Sequence, residues 1–163
     1  MRVMGIDYGE RRIGVALSDP TGTIASPLPT LKKRKGKRPP YGNLEEIAEE
    51  HGVKALVMGL PLSSAGAETE WTEEVRRVGA RLADRLGVPV HYVDERMTSA
   101  RARRVVRGRL GLPRGRREEK ERVDAAAAVL ILQSWLDRPV TGSSDPDEES
   151  GPADASSSDD GSH

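Results

Sequence analysis

An α/β fold is predicted for this chain, opening with antiparallel strands and continuing with parallel ones. Three observations predict it. The first nineteen residues read as two apolar strands around a charged, glycine-containing turn. Strand, helix, strand, helix and strand patterns follow between residues 23 and 93, an order that implies βαβ units. Near residue 130 lies a helix that is apolar on almost every side, as buried helices are.

The elements follow in order. Val3, Met4 and Ile6 form the first apolar run, Asp7 interrupts it, Tyr8-Gly9 opens the turn, and residues 13–17 resume it. Residues 23–31 read as a third strand, placed at a sheet edge by Pro27 and Pro29. Residues 32–40 are a loop with six basic residues, among them Lys32, Lys33, Arg34 and Lys35. Like charges this dense stay solvated without a partner. Such a loop either serves solubility or meets an anion.

Asn43 with Glu46 three residues on suggests a capped helix to about His51, and residues 53–60 read as a buried parallel strand. Trp71, Val75, Val78, Leu82 and Leu86 recur at helical spacing within residues 67–86, and Gly87 stops that helix. A strand over 88–93 ends at Asp94-Glu95-Arg96. Thr98 or Ser99 then caps a basic helix bearing Arg101, Arg103, Arg104, Arg107 and Arg109, and the last helix runs over 117–136. From Thr141 onward Ser, Gly, Asp and Glu dominate. The expected organisation is one folded domain over 1–140 and an acidic disordered tail over 141–163.

Charge is divided the same way. The 163 residues hold 26 basic and 26 acidic side chains, but seven of the acids lie in residues 141–163, which contain no Lys or Arg. Residues 1–140 therefore carry 26 bases against 19 acids, a formal +7 that favours polyanionic partners. The absence of Cys excludes disulfides and thiolate metal sites. The longest apolar run, residues 125–132, is far too short for a membrane span, and Asp7 arrives too early for a secretory signal, so the expectation is a cytoplasmic protein without membrane partners. Aromatic content of 3% speaks against a reader that stacks bases on aromatic platforms.

Acidic residues then stand where core is expected: Asp7 after the first strand, Asp94-Glu95 after the last, and Asp124 inside the apolar helix. Functional groups gather at the carboxyl ends of parallel strands. Clustered carboxylates repel, by roughly 4 kcal/mol per pair at ~4 Å and an effective dielectric of ~20. A shared proton or a bound cation relieves this, and hard oxygen ligands without thiols select Mg²⁺ or Mn²⁺. The plainer alternatives are that Asp7 makes a turn, Asp94-Glu95 pairs with Arg96, and Asp124 bridges to Lys120 or Arg122. Carboxylates, a divalent ion and a basic surface together suit phosphodiester hydrolysis.

Four segments carry a family resemblance: Gly5-Ile-Asp-Tyr-Gly9 with residues 11–19, Gly59-Leu-Pro-Leu62 with Gly66, Val93-Asp-Glu-Arg-Met-Thr98, and Asp124-Ala-Ala-Ala-Ala128 running into residues 130–133. In this order and together they resemble the bacterial YqgF family, whose names are pre-16S rRNA nuclease and Holliday junction resolvase. The resemblance implies an RNase H-like fold, a five-stranded mixed sheet flanked by helices, with the first and fourth strands side by side. It implies Asp7, Glu95 and Asp124 as the catalytic and metal-binding acids, with Mg²⁺ or Mn²⁺ as cofactor. Its Asp-Glu-Arg motif points to Glu95 over Asp94, which spacing does not decide. Arg12 and Arg96 match motif positions suited to phosphate contact, and Lys32, Lys33, Arg34 and Lys35 join them as candidate nucleic-acid contacts. The loop over 32–40 and the acidic tail depart from the family pattern.

The expected activity is a metal-dependent endonuclease in 5′-end maturation of pre-16S rRNA, acting as a monomer or homodimer and meeting ribosomal particles. Branched DNA is the alternative substrate, and a non-catalytic ribosome-associated RNA binder the alternative class. An Asp-x-Gly after a first strand also resembles sugar-kinase and actin-type ATPases, but those close two such domains around a nucleotide, and one domain leaves no room.

Overall fold

A computed structural model describes residues 1–33, 37–98 and 117–138, with backbone alone for 117–124. The strands are β1 (Arg2–Tyr8), β2 (Arg12–Ser18), β3 (Ala25–Lys32), β4 (Val53–Leu60) and β5 (Val90–Asp94). The helices are α1 (Tyr41–Glu50), α2 (Glu70–Leu86) and α3 (Arg117–Leu136), with a 3₁₀ turn at Glu95–Met97. The five strands lie in the order β3-β2-β1-β4-β5. β2 is antiparallel to both β1 and β3, while β1–β4 and β4–β5 are parallel. The mixed sheet is therefore the expected one, with β1 and β4 adjacent and β3 at an edge, where its prolines leave no central ladder broken.

Side chains alternate along each strand, and the sheet buries both faces. Met4, Ile6, Tyr8, Ile13, Val15, Leu56 and Met58 meet α1 and α2 through Leu44, Val75, Val78 and Leu82. Val3, Ala16, Ala55 and Val57 meet α3 through Ala127, Ala128, Ile131, Leu132 and Trp135. Small residues bring α3 close. A Cβ on Gly5 would lie 2.7 Å from Leu132 Cβ and 3.2 Å from the Ala128 carbonyl oxygen. Gln133 fastens the same helix to the sheet edge: its Oε1 accepts from the Ala25 N–H at 2.9 Å and its Nε2 donates to the Thr23 carbonyl at 2.9 Å.

The boundaries that moved did so for local reasons. β3 begins at Ala25 rather than residue 23 because Asp19 captures the preceding turn, accepting from the N–H groups of Thr23 (2.7 Å) and Ile24 (2.8 Å) and from the Thr21 hydroxyl. α1 begins at Tyr41 after Pro40, without a side-chain cap, so Asn43 sits inside the helix rather than capping it. Proline fixes φ near the helical value and sets the start by itself. α2 begins at Glu70, where Thr69 and Thr72 form a reciprocal capping box, and ends at Gly87 with φ +69°. β5 begins at Val90 because Pro89 has no N–H to donate to the ladder. The final helix matches its expected span. The basic helix of residues 101–109, Arg34, Lys35 and the acidic tail lie outside the described residues.

The Asp19 turn has a pH signature. The Ile24 N–H foremost, then the Thr21 hydroxyl and the Thr23 N–H, hold the Asp19 carboxyl well below the usual carboxylate range. A lowered folded-state pKa contributes stability above the unfolded value, near 4, that is lost as pH falls towards the folded value. The melting-temperature difference between wild type and Asp19→Asn should therefore be constant from about pH 6 to 8 and shrink below about pH 4. A difference that grows on acidification would refute this.

Candidate active site

Asp7 lies within β1, paired across the sheet with Gly14 of β2, and is 3% exposed. It is a strand residue, not the start of the turn. Alternation turns it towards α3, with Val3 and Gly5, while Tyr8 faces the other layer. The β1–β4 register pairs Ile6 with Met58, so one further residue sets Asp7 beside Gly59, about 5 Å away across parallel strands.

Gly59 is the floor of the site. A Cβ there would lie 2.7 Å from Glu95 Oε1, 3.0 Å from Glu95 Cγ and 2.5 Å from Ile131 Cδ1. Glu95, also 3% exposed, therefore folds its carboxylate over the one β4 position without a side chain. The result is two buried carboxylates on one face, converging on a backbone that leaves them room. Burying two acids on one face is costly unless opposite charge, a proton or hydrogen bonds compensate them.

The geometry divides Asp94 from Glu95. Asp94 caps the 3₁₀ turn, accepting from the Arg96 N–H at 2.9 Å, and forms a two-pronged ion pair with the Arg96 guanidinium through Nε (3.1 Å) and Nη2 (2.7 Å). That pair holds the Arg96 pKa above its ordinary value. Arg96 also fills the space over Gly66, where φ is +85° and a Cβ would lie 3.0 Å from Nη1. Pairing with Arg96 thus applies to Asp94, and Glu95 takes the buried position.

Asp124 lies in α3, and its side chain is outside the described residues. The backbone of α3 has a defined direction across the sheet. Trp135 packs tilted against His91, whose register partner is Val57, and Ile131 lies over Gly59. Moving towards the N-terminus of α3 therefore moves towards the carboxyl ends of β1 and β4. Asp124 is one turn before Ala128, whose carbonyl lies against Gly5.

The basic residues approach the same edge. Arg12 opens β2 opposite Lys32, and its carbonyl accepts the Gly9 N–H at 3.0 Å across the turn. Lys33 donates its backbone N–H to the Arg11 carbonyl at 2.8 Å and its Nζ to the Glu10 carbonyl at 3.1 Å. The same ammonium lies 5.4 Å from the centroid of Tyr8, which stacks on Trp71 at 5.5 Å. The start of the basic loop is thus folded onto the hairpin tip beside Asp7. Reading the sequence missed that Gly59 makes room for Glu95 and that Lys33 is an ordered residue. The glycine of Gly-Leu-Pro was a visible signal, but its tenant Glu95 is 36 residues away.

Among the described residues no three His, Cys, Asp or Glu side chains are grouped to hold a metal ion. Asp7 and Glu95 are two such donors, and Asp124 would be the third. A hard-oxygen set around a side-chain-free floor fits Mg²⁺ or Mn²⁺. Among the described residues no helix is long and apolar enough to cross a membrane.

Residues 1–138 match the family model described as RuvX, Holliday junction resolvase. A Koribacter versatilis protein named "Putative pre-16S rRNA nuclease" is 41% identical over 138 residues, covering 84% of this chain and 87% of its own length. A protein of the same name from Nocardioides sp. is 45% identical over 139 residues, covering 82% and 86%. Among solved structures, T. thermophilus RuvC in complex with Holliday junction substrate superposes with a TM-score of 0.51 at 20% identity, covering 83% of this chain and 94% of that one. Likeness at that identity concerns the fold alone.

Proposed function

The chain belongs to the RuvX family, the YqgF family of its sequence motifs, with an RNase H-like fold, and from that premise we propose that it is a divalent-metal-dependent endonuclease maturing the 5′ end of pre-16S rRNA. One observation carries the chemistry: Asp7 and Glu95 are buried on the same face around Gly59. Two acids so placed suit a cation better than an anion or an apolar ligand.

Asp7, Glu95 and Asp124 would hold Mg²⁺ or Mn²⁺, which when bound supplies an activated water and neutralises charge on the phosphate. The chain's own residues do the rest. β1 and the 3₁₀ turn fix the two carboxylates, while Asp94 holds Arg96 against the Gly66 loop at the rim. Arg12, Arg96, Lys32 and Lys33 contribute positive charge for the phosphates flanking the cut, and positioning of this kind supplies much of phosphoryl-transfer catalysis. Burial of the acids keeps bulk water from solvating them.

The family description favours one second reading, cleavage of branched DNA. The test is purified full-length chain with end-labelled pre-16S RNA and four-way DNA junctions, each with Mg²⁺, Mn²⁺ or chelator. Metal-dependent cuts in the RNA are expected. Cuts confined to the junction would replace the RNA reading by the DNA one. No cleavage of either would leave a binding module.

A further inference from the structure

The carboxylate edge leaves unused a cationic cluster on the α1–α2 side of the sheet. Tyr41, the first residue of α1, is 7% exposed, and three guanidinium groups surround its ring. Arg38 lies 5.8 Å from the ring centroid, Arg81 5.5 Å and Arg85 5.3 Å. They come from the loop after β3 and from successive turns of α2, and all three are exposed. Arg85 is held by Glu45, Nη2 to Oε1 at 2.5 Å. Among the described residues Arg38 and Arg81 have the ring but no carboxylate partner.

A single cation over the ring suffices for a cation–π contact, whereas each further one adds like-charge repulsion. Glu45 is engaged by Arg85 and Glu74 by Arg77, so these two acids are already matched. An arginine beside an aromatic ring retains its N–H donors, the groups with which arginine grips phosphate. Tyr41 belongs to the same core layer as Tyr8, whose ring carries Lys33 at the hairpin tip.

We propose that Arg38, Arg81 and Arg85, gathered on Tyr41, form a second phosphate-backbone site that holds RNA flanking the scissile strand. This rests on the reading of the substrate as nucleic acid. The site is independent of sequence and tethers a substrate longer than the carboxylate edge alone can hold.

The test measures binding of full-length chain to RNAs of about 6 and about 30 nucleotides by anisotropy in chelator, since one single-strand site spans roughly 4–16 nucleotides. Arg38→Gln/Arg81→Gln should weaken the long RNA about tenfold near 0.1 M salt and lower the slope of log K against log salt by about 1.4, two contacts at ~0.7 each. The short RNA should bind as before. Arg38→Lys/Arg81→Lys should recover most of the slope, and Arg81→Gln alone, an exposed change, should show about half of it should the double variant not fold. Unchanged long-RNA affinity and slope would overturn the second site alone, as would an equal loss on both RNAs. Failure of the wild type to bind either RNA would overturn the nucleic-acid reading with it.

Discussion

Asp7→Asn should lower the cleavage rate by at least about 10²–10³-fold, the scale on which losing one preorganised charge-stabilising group acts, while leaving the metal-free protein as stable as wild type or more so. The two halves of this result share one cause. Asp7 is 3% exposed and lies one strand spacing from Gly59, over which Glu95 folds its carboxylate. Asn keeps the shape of Asp7, but removes a buried charge on the face that also holds Glu95. Replacing such a charge by a neutral isostere relieves like-charge repulsion between the two acids. Single-turnover cleavage of labelled RNA and thermal unfolding in chelator measure the two halves. Wild-type cleavage by the variant would remove Asp7 from the chemistry. A large loss of stability together with activity would make it a structural residue instead.

Gly59→Ala should reduce cleavage about 10²-fold, the penalty for a reacting group displaced by ~1 Å, and destabilise the fold by about 1–3 kcal/mol through overpacking. The added methyl would stand 2.5 Å from Ile131 Cδ1 and 2.7 Å from Glu95 Oε1, so the α3 face and the carboxylate must both shift. Gly42→Ala is the matched control. It lies in α1 with no atom within 4 Å of a new Cβ, and should stabilise by about 0.5–1 kcal/mol through helix propensity alone. Denaturant titration and steady-state cleavage of both variants check the pair. Equal behaviour at positions 42 and 59 would dissolve the argument that Gly59 makes room for Glu95.

The parts of this fold written in local pattern were legible. β4 and α3 have the spans their apolar runs announce, and Pro27 and Pro29 marked the edge strand. Asp7 and Glu95 were legible as acids out of place. Whether Asp94 or Glu95 is the buried one was not, because it depends on Arg96 swinging back onto Asp94 and on a glycine in another strand. The start of α1 was misjudged because Asn43 offers a plausible cap, whereas Pro40 fixes the first turn without one. The arginines around Tyr41 illustrate the same limit. Arg81 and Arg85 read as the solvated side of an amphipathic helix, and only the tertiary position of Tyr41 groups them with Arg38.

The clamp between Gln133 and the edge strand has a consequence for the order in which the molecule assembles. The hydrogen bonds from Gln133 to Ala25 and Thr23 close loops of 108 and 110 residues, among the longest-range contacts described here, and such closures come late because their entropy must be met first. During synthesis the sheet can pair and acquire α1 and α2 while Val3, Ala16, Ala55 and Val57 still face water, waiting for α3. The helix that seals this face is also the one that contains Asp124, the third acid of the proposed set. A nascent or truncated chain lacking α3 therefore has an exposed apolar sheet and lacks the third acid of the proposed site, so on that proposal the last step of folding is also the step that completes the site.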